Sequence, residues 1–150
     1  LALDKPVVGV STLEAMAANF PCANRVIKPL MDARKSEVYT ADFIWEEGFF
    51  KRLSDDRVEA PEKMLEGVSE DTIFVGDGLI KYGELIKDTV GDKAFFADHF
   101  LSYIRASNVA RLGQARFKEK GALDLASFTP AYLRRSEAEV NREKGLLKNC

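Results

Sequence analysis

The run Thr72-Ile73-Phe74-Val75, followed at once by Gly76-Asp77-Gly78 and then by Leu79, Tyr82, Leu85 and Ile86 at helical spacing, constrains the fold of this chain more than any other stretch. A short continuous run with no polar alternation reads as a strand buried on both faces, and such a strand needs cover on each side. Strand, glycine turn and helix then make one unit of α/β type. Ala94-Phe95-Phe96-Ala97 reads as another strand. Ser107 is a fair cap for a helix in which Val109, Ala110, Leu112, Gly113 and Phe117 face inward, with Gly121 just past its end.

The first half of the chain reads differently. Pro6-Val7-Val8-Gly9-Val10 has strand character, and Ser11-Thr12-Leu13-Glu14 has the spacing of a capping box, with Ser11 and Glu14 each accepting from the other's backbone N–H. Leu13, Met16, Ala17 and Phe20 form one apolar stripe, and Pro21 stops that helix. Residues 25–31 and 37–45 predict a hairpin about the turn 32–36, with Tyr39, Ala41, Phe43 and Trp45 on one face, and the chain turns again at residues 46–48 into 49–53. Pro29 cannot donate to a ladder, so the first strand must meet it at a bulge or a free edge. Pro61 suits the first position of a helix through Met64 and Leu65 that stops at Gly67. Three meandering strands followed by helix, strand, helix, strand and helix is the order of a ribonuclease H-like unit of the actin-like ATPase superfamily: α/β, a mixed sheet flanked by helices.

Composition bounds the function classes. At 150 residues the chain has the size of one domain, read as residues 1–133 with a charged tail over 134–150. The opening Leu1-Ala2-Leu3-Asp4-Lys5-Pro6, without methionine, reads as running sequence cut from a longer protein. With 22 Lys plus Arg against 24 Asp plus Glu the net charge is −2, so no overall basic surplus draws the chain onto nucleic acid. Cys22 and Cys150 lie at opposite ends without metal-ligand spacing and read as reduced thiols. No apolar run approaches the roughly 20 residues of a membrane helix, and no signal region opens the chain, so a cytoplasmic protein is expected.

No complete catalytic constellation is present. Asp32 and Asp77 fall at the carboxyl ends of predicted strands, with Asp42 and Asp98 at other strand positions, and converging carboxylates there are what a two-metal nuclease needs. Asp beside Gly or in a turn also caps local N–H groups, and that reading is preferred, leaving Asp32 and Asp77 as weak metal candidates. Gly76-Asp77-Gly78 after a strand resembles a phosphate cradle but lacks the full glycine spacing and the P-loop lysine, and Asp77 would repel an anion. Gly76, Asp77 and Gly78 are therefore weak cofactor candidates, a tight turn being the simpler account. His99 is the only histidine, so no His pair can hold a metal; it reads as a structural loop residue. Arg34-Lys35 and Arg134-Arg135 are small basic pairs that read as solvent-facing, with phosphate or partner contact the other possibility.

Val8-Gly9-Val10-Ser11-Thr12-Leu13-Glu14-Ala15, Met31-Asp32-Ala33-Arg34-Lys35-Ser36-Glu37-Val38-Tyr39, Val75-Gly76-Asp77-Gly78 and Pro130-Ala131-Tyr132-Leu133-Arg134, in that order, resemble the second half of the bacterial TsaB (YeaZ) family. The hairpin and the terminal Pro-x-Tyr-Leu-Arg are fairly specific as a pair. Family members often carry glycine where Ser36 stands, a position that favours positive φ.

The resemblance implies a non-catalytic paralogue of the TsaD/Kae1 proteins, a group long labelled glycoprotease or M22 peptidase. It implies a cytoplasmic scaffold that supports TsaD, with TsaE as a further partner, in installing threonylcarbamoyl on N6 of adenosine 37 in tRNA. No cofactor and no catalytic residue are expected, homodimers are possible, and contact with tRNA is indirect. The alternative is an active glycoprotease-type metallohydrolase or an ATP-using phosphotransferase of the same superfamily.

Overall fold

A computed structural model of the chain describes residues 5–47 and 49–134. Apart from Arg134, the expected charged tail lies outside them. The elements in order are α1 (Thr12–Ala17), β1 (Val26–Asp32), β2 (Val38–Thr40), β3 (Phe43–Glu46), β4 (Phe49–Arg52), β5 (Arg57–Glu59), α2 (Pro61–Leu65), β6 (Thr72–Val75), α3 (Leu79–Val90), β7 (Ala94–Phe96) and α4 (Ala106–Lys120). Short 3-10 turns cover Gly91–Lys93 and His99–Ser102.

The seven strands form one mixed sheet. The predicted hairpin is present, with β2 and β3 as two pieces of its second strand. Ile27 pairs with Phe43, and Leu30, Met31 and Asp32 pair with Thr40, Tyr39 and Val38, all in one antiparallel register. The ladder breaks between those pairs, where Pro29 stands, and the Thr40 hydroxyl donates to the Pro29 carbonyl instead (2.9 Å). The third strand of the meander is likewise split, β4 pairing with β3 and β5 with β2. On its other side β1 runs parallel to β6, and β6 parallel to β7.

Two apolar clusters lie on opposite faces of the sheet. On one face Ile27, Ala41, Phe43 and Val75 pack on Leu13, Met16 and Ala17 of α1, with Tyr39 and Trp45 beside them, so the predicted Tyr39-Ala41-Phe43-Trp45 face is the one observed. On the other, Leu30, Val38 and Phe74 pack on Met64 and Leu65 of α2 and Tyr82 and Ile86 of α3. Phe74 and Val75, adjacent in β6, belong to different clusters, as the period of two in a doubly covered strand requires.

Four local expectations are corrected. Residues 6–10 form no strand of the sheet. Helix α1 ends at Ala17, before Pro21, and only half of its capping box forms. Ser11 Oγ accepts from Glu14 N (3.4 Å), while the Glu14 carboxylate is held by Arg52 (3.2 Å) and Arg116. Helix α4 starts with Arg105 as an N-cap that makes no side-chain bond, not with Ser107. Of its predicted inward face only Gly113 is buried; Val109 and Phe117 are 38% and 44% exposed.

Candidate functional site

The two motif segments, together with the Gly-Asp-Gly turn, meet at one corner of the sheet, where β1 and β6 end side by side. Parallel pairing of β1 with β6 brings these ends together, because Pro29 lies opposite Val75, the last residue of β6, and β1 runs on only to Asp32, beside the Gly-Asp-Gly turn.

The hairpin turn is left-handed. Arg34, Lys35 and Ser36 have φ of 64°, 50° and 57°, three consecutive non-glycine residues in a region that costs each about 1 kcal/mol. Ser36 thus adopts the conformation that a glycine would favour at that position. The turn is held by local bonds. Ala33 N donates to Glu37 O (2.9 Å), Glu37 N to Arg34 O (3.0 Å) and Arg34 N to Asp32 Oδ1 (3.0 Å).

Asp32 N in turn donates to Asp77 Oδ1 (3.2 Å), so the carboxylate after β6 ties the two strand ends together. Asp32 also lies 3.5 Å from the Arg34 guanidinium and 3.8 Å from Lys81 Nζ. The two strand-end aspartates are therefore neighbours, and each serves a backbone N–H within the corner. Among the described residues no group of three or more His, Cys, Asp or Glu is arranged to hold a metal ion.

Gly76 has φ +124°, and a Cβ there would fall 2.1 Å from Leu30 O, so only glycine fits beside β1. Four N–H donors of the Gly-Asp-Gly turn and the start of α3 are already used. Gly76 N donates to Ser102 Oγ (3.1 Å), Gly78 N to Leu30 O (3.2 Å), Leu79 N to Gly76 O (3.2 Å) and Ile80 N to Asp77 O (3.1 Å). An anion at any of these four donors would have to displace the bond it makes.

Arg134 completes the corner from the far end of the chain. Its Nη1 donates to Ala33 O (2.6 Å), Nη2 donates to Arg34 O (3.3 Å), and the guanidinium pairs with the Glu37 carboxylate. It thus grips two carbonyls of the strained turn with the planar fork that suits such geometry. The residues before it, Phe128 to Leu133, pass over a cavity of about 510 Å³ lined by Leu13, Met31 and Tyr39 below, with Ser11 and Asp56 joined at 2.6 Å on its wall.

The remaining candidates lie elsewhere. Asp42 sits in the break between β2 and β3, and Asp98, beyond β7, accepts from Phe100 N (3.3 Å) at a 3-10 turn, so neither is on a strand. His99 Nε2 lies 2.9 Å from the Tyr103 hydroxyl, with the two rings edge to face. Cys22 is exposed, and Cys150 and Arg135 lie outside the described residues.

Sequence reasoning missed a second cluster. The Lys28 ammonium, buried at the sheet centre, pairs with Asp42, whose other oxygen accepts from Arg57 (3.0 Å) and Ser54 (2.8 Å). Burial alone would raise the Asp42 pKa, but the charge and hydrogen bond of Lys28, with Ser54 and Arg57, outweigh it and hold the carboxyl below its ordinary value. The hairpin register carried the signal, since counting back from Asp32 and Val38 puts residue 28 opposite residue 42.

Comparison with known proteins gives this geometry its context. Residues 1–142 match the family model described as TsaD, tRNA N6-adenosine threonylcarbamoyltransferase. The tRNA threonylcarbamoyladenosine biosynthesis protein TsaB of Bacillus subtilis (strain 168) is 33% identical over 142 residues, a match that spans 93% of this chain and 60% of the relative. In fold the chain is similar to a crystal structure of an uncharacterized protein with similarity to peptidase YeaZ from Pseudomonas aeruginosa. That match has a TM-score of 0.67 and 22% identity over 89% of this chain and 61% of the other. It is also similar to YeaZ from Pseudomonas aeruginosa, with a TM-score of 0.65 and 20% identity over 87% and 62%. The chain spans about three fifths of the length of these relatives. On the family model and the curated relative together, this chain, with its ribonuclease H-like fold, belongs to the TsaD family of threonylcarbamoyladenosine proteins, on the TsaB/YeaZ branch.

Proposed function

We propose that this protein is a non-catalytic scaffold subunit in the synthesis of tRNA threonylcarbamoyladenosine, acting in the cytoplasm to support a TsaD-type transferase. A TsaE-type protein is the further partner, homodimers can form, and tRNA is met only through the transferase. The observation that carries this reading is the use to which the motif residues are put. Asp32, Glu37, Asp77 and Arg134 are all engaged with backbone groups or with one another in holding the corner. A nucleophile or metal ligand needs a reactive atom free to meet its substrate. A corner whose polar side chains are spent on its own shape suits a surface that a partner reads as a rigid form.

Reconstitution tests this reading. Threonylcarbamoyl transfer by the TsaD-type and TsaE-type proteins is measured with and without this protein. Transfer that depends on its presence, and on its amount up to a fixed ratio with the transferase, is expected. Transfer at an undiminished rate in its absence sinks the scaffold reading.

A further inference from the structure

The Lys28 cluster lines a cavity at the end of the sheet away from the motif corner. There β1 and β6 begin, Val26 opposite Thr72, and both residues help to wall a space of about 640 Å³, a size that suits a small molecule. It opens where the meander is split in two, beside the short helix α2, with Asp42 in the break.

The polar part of its wall holds spare bonding capacity of both signs. The Lys28 side chain is 7% exposed, and among the described residues its ammonium has one hydrogen-bond partner, Asp42, so its other N–H donors remain open. Glu59, whose side chain is 11% exposed, accepts at Oε1 from Arg57 Nε (2.6 Å), and its Oε2 has no partner among the described residues. Lys28, Asp42, Arg57 and Glu59 together carry no net charge, so a ligand with a net charge of its own would upset the balance of this wall. Apolar surface adjoins it, from Met64, Val68 and the exposed Leu53. An ion pair buried at a sheet centre is seldom the most stable choice, since apolar residues of like volume often do as well or better. Its place in a cavity wall points to a use.

We propose that this cavity binds a free α-amino acid with an aliphatic side chain. The carboxylate accepts from Lys28, the α-ammonium donates to Glu59 Oε2, and the aliphatic chain lies on Leu53, Met64 and Val68. A zwitterion answers both open groups and adds no net charge, which neither a simple amine nor a simple acid can do. The site lies away from the motif corner and stands independently of the scaffold reading.

Methyl NMR of the full chain, with L-leucine as the probe, tests the proposal. Met64 stands in the cavity wall, whereas Met31 lines the cavity beside the motif corner and Met16 lies in the core on the other face of the sheet. A saturable shift of the Met64 methyl is expected, with Met16 and Met31 unmoved. Leucinamide, which lacks the carboxylate, and isocaproate, which lacks the ammonium, are each expected to bind at least about tenfold more weakly, the loss of one charge-assisted hydrogen bond. Glu59→Gln keeps an oxygen for Arg57 and removes the charge, so in that variant leucine and isocaproate are expected to bind alike. Should the variant fail to fold, leucine against its two analogues on the parent chain decides alone. No saturable Met64 shift, a shift centred on Met16 or Met31, binding of either analogue as tight as that of leucine, or unchanged discrimination in the folded variant overturns the proposal.

Discussion

Gly76 stands where a side chain has no room, because β1 passes so close that the Leu30 carbonyl occupies the position of a Cβ. Gly76→Ala would combine an unfavourable positive φ with a backbone clash, and a loss of about 3 kcal/mol or more in urea unfolding is expected. A loss under about 1 kcal/mol would mean that β1 and the turn separate at little cost. This position was legible in the sequence as a glycine after a buried strand. Arg34 and Lys35 were not, because nothing in their chemistry marks them for left-handed backbone. They adopt it because Arg134 and Asp32 hold the turn from outside and inside, and one of those holders is a hundred residues away in the chain.

The elements in the middle of the sheet depend on the ion pair of Lys28 and Asp42. Strand β1 carries a lysine whose side chain is 7% exposed, and Asp42 is its charge partner across the hairpin. Removing one member leaves the other buried and uncompensated, so Asp42→Asn is expected to lower stability at neutral pH by about 3 kcal/mol. The folded-state pKa of Asp42 is depressed, so its contribution is present above the ordinary carboxyl range near 4 and is lost as pH falls through the lower folded value. Unfolding free energy measured from pH 7 downward should therefore fall less steeply below about pH 4 in Asp42→Asn than in the parent chain. Parallel acid limbs would contradict the assignment. At this scale the apolar runs of β1 and β6 and the helical spacing of α3 were sufficient to find the elements. Helix α4 was misjudged because an apolar stripe shows that a face wants cover without showing which chain covers it.

For the whole molecule, the layers followed from the doubly apolar β6, while the closing of the corner by Arg134 did not. A guanidinium near the end of the chain has no periodicity that points to its partner, and only the fold brings it to Glu37. The strap it anchors makes few other main-chain bonds to the body: Leu123 N meets Val7 O at one end and Arg134 meets the hairpin at the other. Arg134→Ala should therefore loosen the strap without unfolding the sheet. Cleavage by chymotrypsin at Phe128 or Tyr132 is expected about tenfold faster, the factor given by losing about 1.4 kcal/mol of local hold. An unchanged cleavage rate would show that the strap is held by its apolar contacts alone.

The central claim is that the motif corner serves by its shape. Asn keeps the acceptor oxygen of Asp and removes its charge, so the double variant Asp32→Asn, Asp77→Asn preserves the turn bonds while destroying a metal ligand or a general base. The decisive measurement is threonylcarbamoyl transfer by the reconstituted complex containing that variant. The account predicts a rate within about threefold of the parent complex, whereas a loss of about a hundredfold or more, the scale of a missing acid–base group, would contradict it.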